Sequence, residues 1–168
     1  MVTKGPAGKN RIPVAISGCL LGEKSRYDLS DKSIPSITDA LADHFTWVPF
    51  CPEMEIGLGA PREKLNLTVT GAEVRLTGDE SGIDYTRKME RHAMARVKDL
   101  SHVCGYILKS KSPSCGLSGD TGIFSRIVLT RFPGIPMVDE GGLDNDEGRK
   151  SFVEKVFIYH RERRLSNA

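Results

Sequence analysis

Short apolar runs, each closed by a polar loop, set the first pattern along the chain. Val14-Ala15-Ile16 leads into Ser17-Gly18-Cys19-Leu20-Leu21-Gly22, and Trp47-Val48-Pro49-Phe50 leads into Cys51-Pro52-Glu53. Tyr106-Ile107-Leu108 leads into Lys109 and on to Ser112-Pro113-Ser114-Cys115-Gly116. Runs of this length, bounded by glycine, proline and serine, read as buried strands feeding tight loops. The pattern places strands over residues 11–17, 47–50, 104–108 and 135–138. Pro13 falls near the start of the first, where a missing N–H is tolerated.

A second pattern has the helical period. Ile34, Ile37, Leu41 and Phe45 recur at three and four residues, with Ser33 as the expected cap and Pro35 in the first turn. From Asp84 onward, Met89, Ala93, Val97 and Leu100 mark the clearest amphipathic helix. Residues 116–122 read as a flexible connection to a helix carrying Phe124, Ile127, Val128 and Phe132, which Pro133 and Gly134 end. Phe152, Val153, Val156 and Phe157 mark a last helix. In between, Leu65, Leu67 and Val69, then Val74 and Leu76, alternate across Thr70-Gly71-Ala72 as an antiparallel hairpin. The repetition of strand, loop and helix predicts an α/β fold. We expect a single domain over residues 1–168, with a largely parallel central sheet flanked by helices and a small β-hairpin insertion. Residues 1–10 read as a loose N-terminal arm.

Composition adds exclusions. The 168 residues suffice for one full core, and 39% apolar with 27% charged residues is ordinary for a globular chain. A formal charge of +2 gives no argument for nucleic acid. No uninterrupted run of about 18 apolar residues suggests a membrane span. The polar N-terminus lacks the apolar segment of a secretory signal, so a cytoplasmic location is expected. Four cysteines there read as thiols or metal ligands rather than disulfides. His44, His92, His102 and His160 read as surface or interface residues.

Three of the cysteines share a context. Cys19, Cys51 and Cys115 each follow a strand-like run, and a parallel sheet gathers its ligand at the carboxyl ends of its strands. They are thus expected at one edge, in one site. Intervals of 31 residues from Cys19 to Cys51 and 63 from Cys51 to Cys115 match no zinc ribbon or ferredoxin run, so spacing names no metal. Cys104 reads as a small buried residue of its strand. Zinc would ask for a fourth protein ligand. Three thiolates also suit a [4Fe-4S] cluster, leaving one iron open as a Lewis acid for a soft atom such as sulfur. Glu53, two residues past Cys51, could activate water or shuttle a proton, and Ser112 could bind substrate or relay one. The plain alternatives are a surface or capping acid and a turn serine.

Several motifs, in order, resemble one bacterial family. They are Ser17-Gly18-Cys19-Leu20-Leu21-Gly22, Arg26-Tyr27-Asp28, Cys51-Pro52-Glu53, the run from Gly57-Leu58-Gly59 to Ala60-Pro61-Arg62, and Ser112-Pro113-Ser114-Cys115-Gly116. The family, long labelled a domain of unknown function, includes the 2-thiouracil desulfidases, and the motifs span most of residues 12–140. The resemblance implies an oxygen-sensitive [4Fe-4S] cluster on Cys19, Cys51 and Cys115, with Glu53 and Ser112 as the catalytic pair. It implies hydrolytic replacement of the C2 sulfur of 2-thiouracil by oxygen, giving uracil and hydrogen sulfide. Arg26, Tyr27 and Asp28 are candidates for shaping the substrate pocket. Two departures stand out. The family often has glycine after Tyr-Asp, whereas Leu29 and Ser30 follow here. The tail from Phe132 to Phe157 is similar to longer cousins in which a second domain follows and the substrate is thiolated transfer RNA. With the chain ending at Ala168, a free thiopyrimidine is expected rather than tRNA.

Other readings make different expectations. A preference for 4-thiouracil or thiouridine is the nearest. An iron–sulfur electron carrier or redox sensor would use Cys104 as a fourth ligand and release no sulfide. A zinc-stabilised binding module would be colourless. No feature of the sequence points to an oligomeric state.

Overall fold

The computed structural model describes residues 10–168. The expected arm over residues 1–10 therefore falls, except for Asn10, outside the described residues. Four strands form the central sheet: β1 (Ile12–Ser17), β2 (Phe45–Phe50), β5 (Tyr106–Leu108) and β6 (Met137–Asp139). Their order is β2-β1-β5-β6, and every neighbouring pair is parallel. The fold is thus the mixed α/β type that the strand–loop–helix pattern predicts. The hairpin of β3 (Leu65–Thr70) and β4 (Glu73–Gly78) stands as a separate antiparallel pair. Gly71, at a φ of 61°, opens its two-residue turn.

Alternation along each strand divides the core into two faces. Val14 and Ile16 of β1 and Ile107 of β5 point to one side, against Leu41 of α1 (Pro35–Leu41) and Phe152 and Val156 of α5 (Asp146–Ser166). Ala15, Phe50, Tyr106 and Leu108 point to the other. There they meet Ala93 and Val97 of α3 (Thr86–Asp99) and Phe124 and Val128 of α4 (Ile123–Arg131). The hairpin buries Leu65 and Leu76 against Met89 of α3 and Ile123 of α4.

Local details differ from the periodicity. The cap of α1 is Ile34, with no side-chain cap hydrogen bond. The Ser33 amide instead donates to Asp31 Oδ1 at 2.7 Å. Phe45, expected on that helix face, begins β2 and packs edge-on against Phe152 at 5.8 Å. Its four-residue spacing from Leu41 is accidental, because the helix stops at Leu41 and the chain reverses. The segment after Cys51 is not loop but a single helical turn, α2 (Pro52–Glu55), with proline at its start. Glu55 ties that turn to α3 through His92 Nε2 at 2.8 Å and Arg96 Nε at 3.1 Å. The connection over residues 116–122, expected to be flexible, is pinned: Asp139 accepts from the amides of Leu117 at 3.0 Å and Ser118 at 2.8 Å. Phe157, counted on the core face of α5, is 45% exposed and lies edge-on to His44. No helix among the described residues is long and apolar enough to cross a membrane.

All four strands run the same way, so their carboxyl ends share one edge. The chain steps from β1 outward to β2, then returns past β1 to β5, so the strand order reverses between β1 and β5. That switch point is where open α/β sheets form their crevice. Cys19 leaves β1 there, Cys51 leaves β2, and the loop with Cys115 leaves β5.

Phe124 holds this edge from behind, fully buried and stacked on Phe50 at 5.0 Å between ring centroids. Truncation by Phe124→Ala is expected to cost about 3–5 kcal/mol of folding stability, read from the shift of a urea unfolding curve.

Candidate functional site

A cavity of about 280 Å³ opens at the switch point, and Cys19, Cys51 and Cys115 all line it. None forms a disulfide. Cys104 lies elsewhere: it precedes β5 at the opposite sheet edge, buried, with its sulfur 3.4 Å from His160 Nδ1. The three site thiols resist ionisation as the protein stands. Burial pushes Cys19 up to about 11, and a Cys51 thiolate would push it further, against the pull of Arg26 and Lys109. Cys115 is pushed up to about 12 by burial, partly offset by the Ser112 and Ser17 hydroxyls. Cys51 is also raised by burial, partly offset by the Met54 amide. Cys19 and Cys115 are raised further by the charge of neighbouring thiolates, so all three become thiolates together only around a cation. Among the described residues no three His, Cys, Asp or Glu side chains converge as the ligands of one ion. Thiols ringing a cavity fit a polynuclear centre, whose metal atoms sit at separate corners, better than a single zinc.

Hydroxyls surround Cys115. Ser17 Oγ, at the end of β1, lies 3.4 Å from its sulfur and accepts from the Lys109 amide at 3.0 Å. With its acceptor side taken, the Ser17 hydroxyl is free to donate to sulfur. Ser112 Oγ accepts from the Cys115 amide at 3.2 Å and lies 3.3 Å from the Cys115 sulfur. The turn role of Ser112 is therefore realised in the geometry, with its hydroxyl facing the site as well. Two glycines make this loop possible by close approach. A Cβ at Gly116 would lie 2.8 Å from Ser112 backbone atoms, and one at Gly122 only 2.4 Å from the Ser114 carbonyl carbon.

Glu53 is 7% exposed and lines the same cavity. Arg62 donates to its Oε2 from Nε at 2.8 Å and from Nη2 at 2.7 Å. Ser114 Oγ donates to Oε1 at 2.7 Å. The serine bonded to Glu53 is thus Ser114, two residues beyond Ser112. Arg62 reaches further: Nη1 donates to the Gly59 carbonyl at 2.7 Å, and its amide donates to the Tyr27 carbonyl at 2.9 Å.

Arg26 and Tyr27 line the cavity, while Asp28 does not. The Arg26 guanidinium lies 5.4 Å from the centre of the Tyr27 ring and donates from Nε to Ser30 Oγ at 2.9 Å. Asp28 accepts from the Ser30 hydroxyl at 2.6 Å and amide at 3.0 Å, which hold its carboxyl below the usual range. It acts on the pocket only by fixing this turn. Leu29 has a φ of 60°, the left-handed conformation that glycine takes freely and that costs a leucine about 1–2 kcal/mol. The turn keeps a glycine-like backbone without the glycine.

Lys109, at the mouth, is paired to Glu140 Oε1 at 2.5 Å, and the Ser110 amide donates to Glu140 Oε2 at 2.6 Å. Burial pushes the Glu140 carboxyl up, but Lys109 and Ser110 outweigh it and hold it below its ordinary value.

Of the residues expected from sequence, the fold gathers Cys19, Cys51, Cys115, Glu53, Ser112, Arg26 and Tyr27 around one cavity. Sequence reasoning missed Ser17, Ser114, Arg62 and the Lys109–Glu140 pair. Ser17, Ser114, Arg62 and Lys109 fall inside or beside the motifs quoted above, but single polar residues carry no periodic signal.

A family model described as 2-thiouracil desulfurase matches residues 14–140. A solved structure described as a [4Fe-4S]-dependent thiouracil desulfidase, TudS, is similar at 30% sequence identity and a TM-score of 0.63, over 80% of this chain and 93% of that one. No curated protein matches the chain.

Two outcomes follow from the ion pairs. Arg62→Ala leaves Glu53 buried without its cation and is expected to destabilise the fold by about 3–5 kcal/mol, measured by guanidinium denaturation. Glu140 has a depressed folded value, so its contribution is present above the unfolded value of about 4.3 and fades as pH falls through the lower folded one. The stability gap between wild type and Glu140→Gln should accordingly be full at neutral pH and shrink below about pH 4.3, as followed by unfolding curves across pH.

Proposed function

Because the chain belongs to the 2-thiouracil desulfurase family, we propose that it removes sulfur hydrolytically from a thiolated pyrimidine, taking 2-thiouracil and water to uracil and hydrogen sulfide. The observation that carries this reading is the cavity at the sheet's switch point, where three unpaired thiols and a buried, oriented carboxylate meet. Cys19, Cys51 and Cys115 would hold a [4Fe-4S] cluster, as the similar TudS structure is described as depending on one. When bound, such a cluster has one iron without a protein ligand, a soft Lewis acid for a thiocarbonyl sulfur.

The chain's own residues supply the rest. Arg62 and Ser114 fix the Glu53 carboxylate from opposite sides, so that it faces the cavity in one orientation. Glu53 accepts a proton from water as the water oxygen bonds to C2 of the ring. The C2–sulfur bond then breaks and the electron pair leaves with sulfur; the proton held on Glu53 and the second water proton, released as the C2 hydroxyl becomes a carbonyl, complete hydrogen sulfide. Carbon keeps its oxidation state, so no electron donor is needed. Ser112, with its hydroxyl beside the Cys115 sulfur, steadies the ring or relays that proton. Arg26 and Tyr27 line the cavity as a cation and an aromatic face suited to a flat, polar heterocycle. The substrate of this reading is a small thiopyrimidine rather than tRNA, consistent with a site cavity of only about 280 Å³. The sheet, hairpin and helices act as one catalytic domain, and a reducing cytoplasm suits its free thiols.

The test is anaerobic purification followed by addition of 2-thiouracil, with 4-thiouracil in a parallel arm. A brown protein releasing sulfide and uracil from 2-thiouracil is expected. Glu53→Gln should keep the brown absorbance and lose turnover by roughly 10²–10⁴-fold. A brown wild type that frees no sulfide from any thiopyrimidine would return the protein to the electron carriers.

A further inference from the structure

Two buried side-chain oxygens among the described residues have no hydrogen-bond partner: Ser25 Oγ and Tyr106 Oη. They differ in what surrounds them. Tyr106 packs inside the core against Phe50 and Phe124. Ser25, only 6% exposed, lines the site cavity beside Cys51. The remaining groups of Ser25 are occupied. Its amide donates to the Glu23 carbonyl at 2.8 Å, and its carbonyl lies 3.9 Å from the Cys51 sulfur as acceptor of the thiol proton. Only the hydroxyl is idle. A buried donor without an acceptor is costly, and such groups persist where something absent from the bare chain completes them.

Cluster binding changes this corner in a definite way. A cysteine that ligates iron has lost its proton, so Cys51 can no longer donate to the Ser25 carbonyl and its sulfur becomes an acceptor. A hydroxyl donor without a partner is already in place on the same residue. We propose that Ser25 donates a hydrogen bond from Oγ to sulfur at the Cys51 corner of the bound cluster and thereby sets the cluster's reduction potential. The inference rests on the cluster-bearing reading given above. Hydrogen bonds to cluster sulfurs withdraw electron density and favour the reduced form, raising the potential. Ser25 touches neither Glu53 nor Ser112, so it is a positioning and tuning residue, not a catalytic one.

The decisive comparison is isosteric. Ser25→Thr keeps the hydroxyl, and Ser25→Val has the same shape without it. Iron and sulfide content and the midpoint potential are measured anaerobically for wild type, Ser25→Thr, Ser25→Val and Ser25→Ala. The expected result is a wild-type potential for Ser25→Thr and a shift to more negative values for both Ser25→Val and Ser25→Ala. If the valine and alanine variants load poorly while threonine loads fully, the hydroxyl is still the group that matters. Equal potentials in all four proteins overturn the proposal, as does equal loss of cluster in the threonine and valine variants. A wild type that holds no cluster would instead overturn the functional reading on which the proposal stands.

Discussion

A carboxylate that is 7% exposed must be answered by donors, and Glu53 is answered from two directions. Arg62 grips one oxygen through two nitrogens and Ser114 holds the other. These three residues come from three segments: the turn after β2, the loop before the hairpin, and the loop after β5. The same arginine holds the Gly59 carbonyl by its side chain and the Tyr27 carbonyl by its amide. One buried ion pair therefore fixes the relative placement of four loops around the cavity. Buried ion pairs contribute little net stability, because desolvation of both charges offsets their attraction. What this one supplies is orientation. A flexible acid at the mouth of the crevice would sample many directions, whereas Glu53 has a single one.

The loop carrying Cys115 is fixed by the opposite means, through backbone contact rather than charge. Gly122 lies so close to Ser114 that no side chain fits between them, and the Phe124 amide donates to the Ser114 carbonyl at 2.9 Å. Ser125 Oγ donates to the Cys115 carbonyl at 2.6 Å. The first turn of α4 thus clamps the cysteine's backbone, while Ser17 and Ser112 flank its sulfur. Phe124 and Ser125 do this from a helix that is itself packed on the sheet through Phe50 and Tyr106. Core packing is transmitted to the sulfur position in two bonded steps.

Much of this was legible in the sequence, for reasons that also explain the omissions. The period of two in β1 and the period of four in Met89, Ala93 and Val97 reflect burial on one face, and burial is what selects apolar residues. The rule that parallel sheets act at their carboxyl ends separated Cys19, Cys51 and Cys115 from Cys104, which enters β5 at the other edge. Phe45 misled because an apolar residue continues a helical count even after the chain has turned into a strand. Ser33 misled because its side chain resembles a cap, while Asp31 takes its amide and Ile34 occupies the cap position. Arg62, Ser17 and Ser114 escaped because their meaning lies in contacts across 9, 98 and 61 residues of chain, which no local pattern records.

The distribution of charge around the cavity carries the argument one step further. Of the six cations that line the cavity, Arg26, Arg62 and Lys109 act on the thiols. Each is already engaged elsewhere. Arg26 lies over Tyr27 and bonds Ser30, Arg62 is paired with Glu53, and Lys109 is paired with Glu140. None forms an ion pair with sulfur, and burial with mutual repulsion keeps Cys19 and Cys115 far above neutrality as thiols. These three cations are thus committed to partners other than the sulfurs. That arrangement suits a site whose compensating charge arrives from outside. The Arg62–Glu53 and Lys109–Glu140 pairs then hold the loops around the cavity in shape whether or not the sulfurs are engaged.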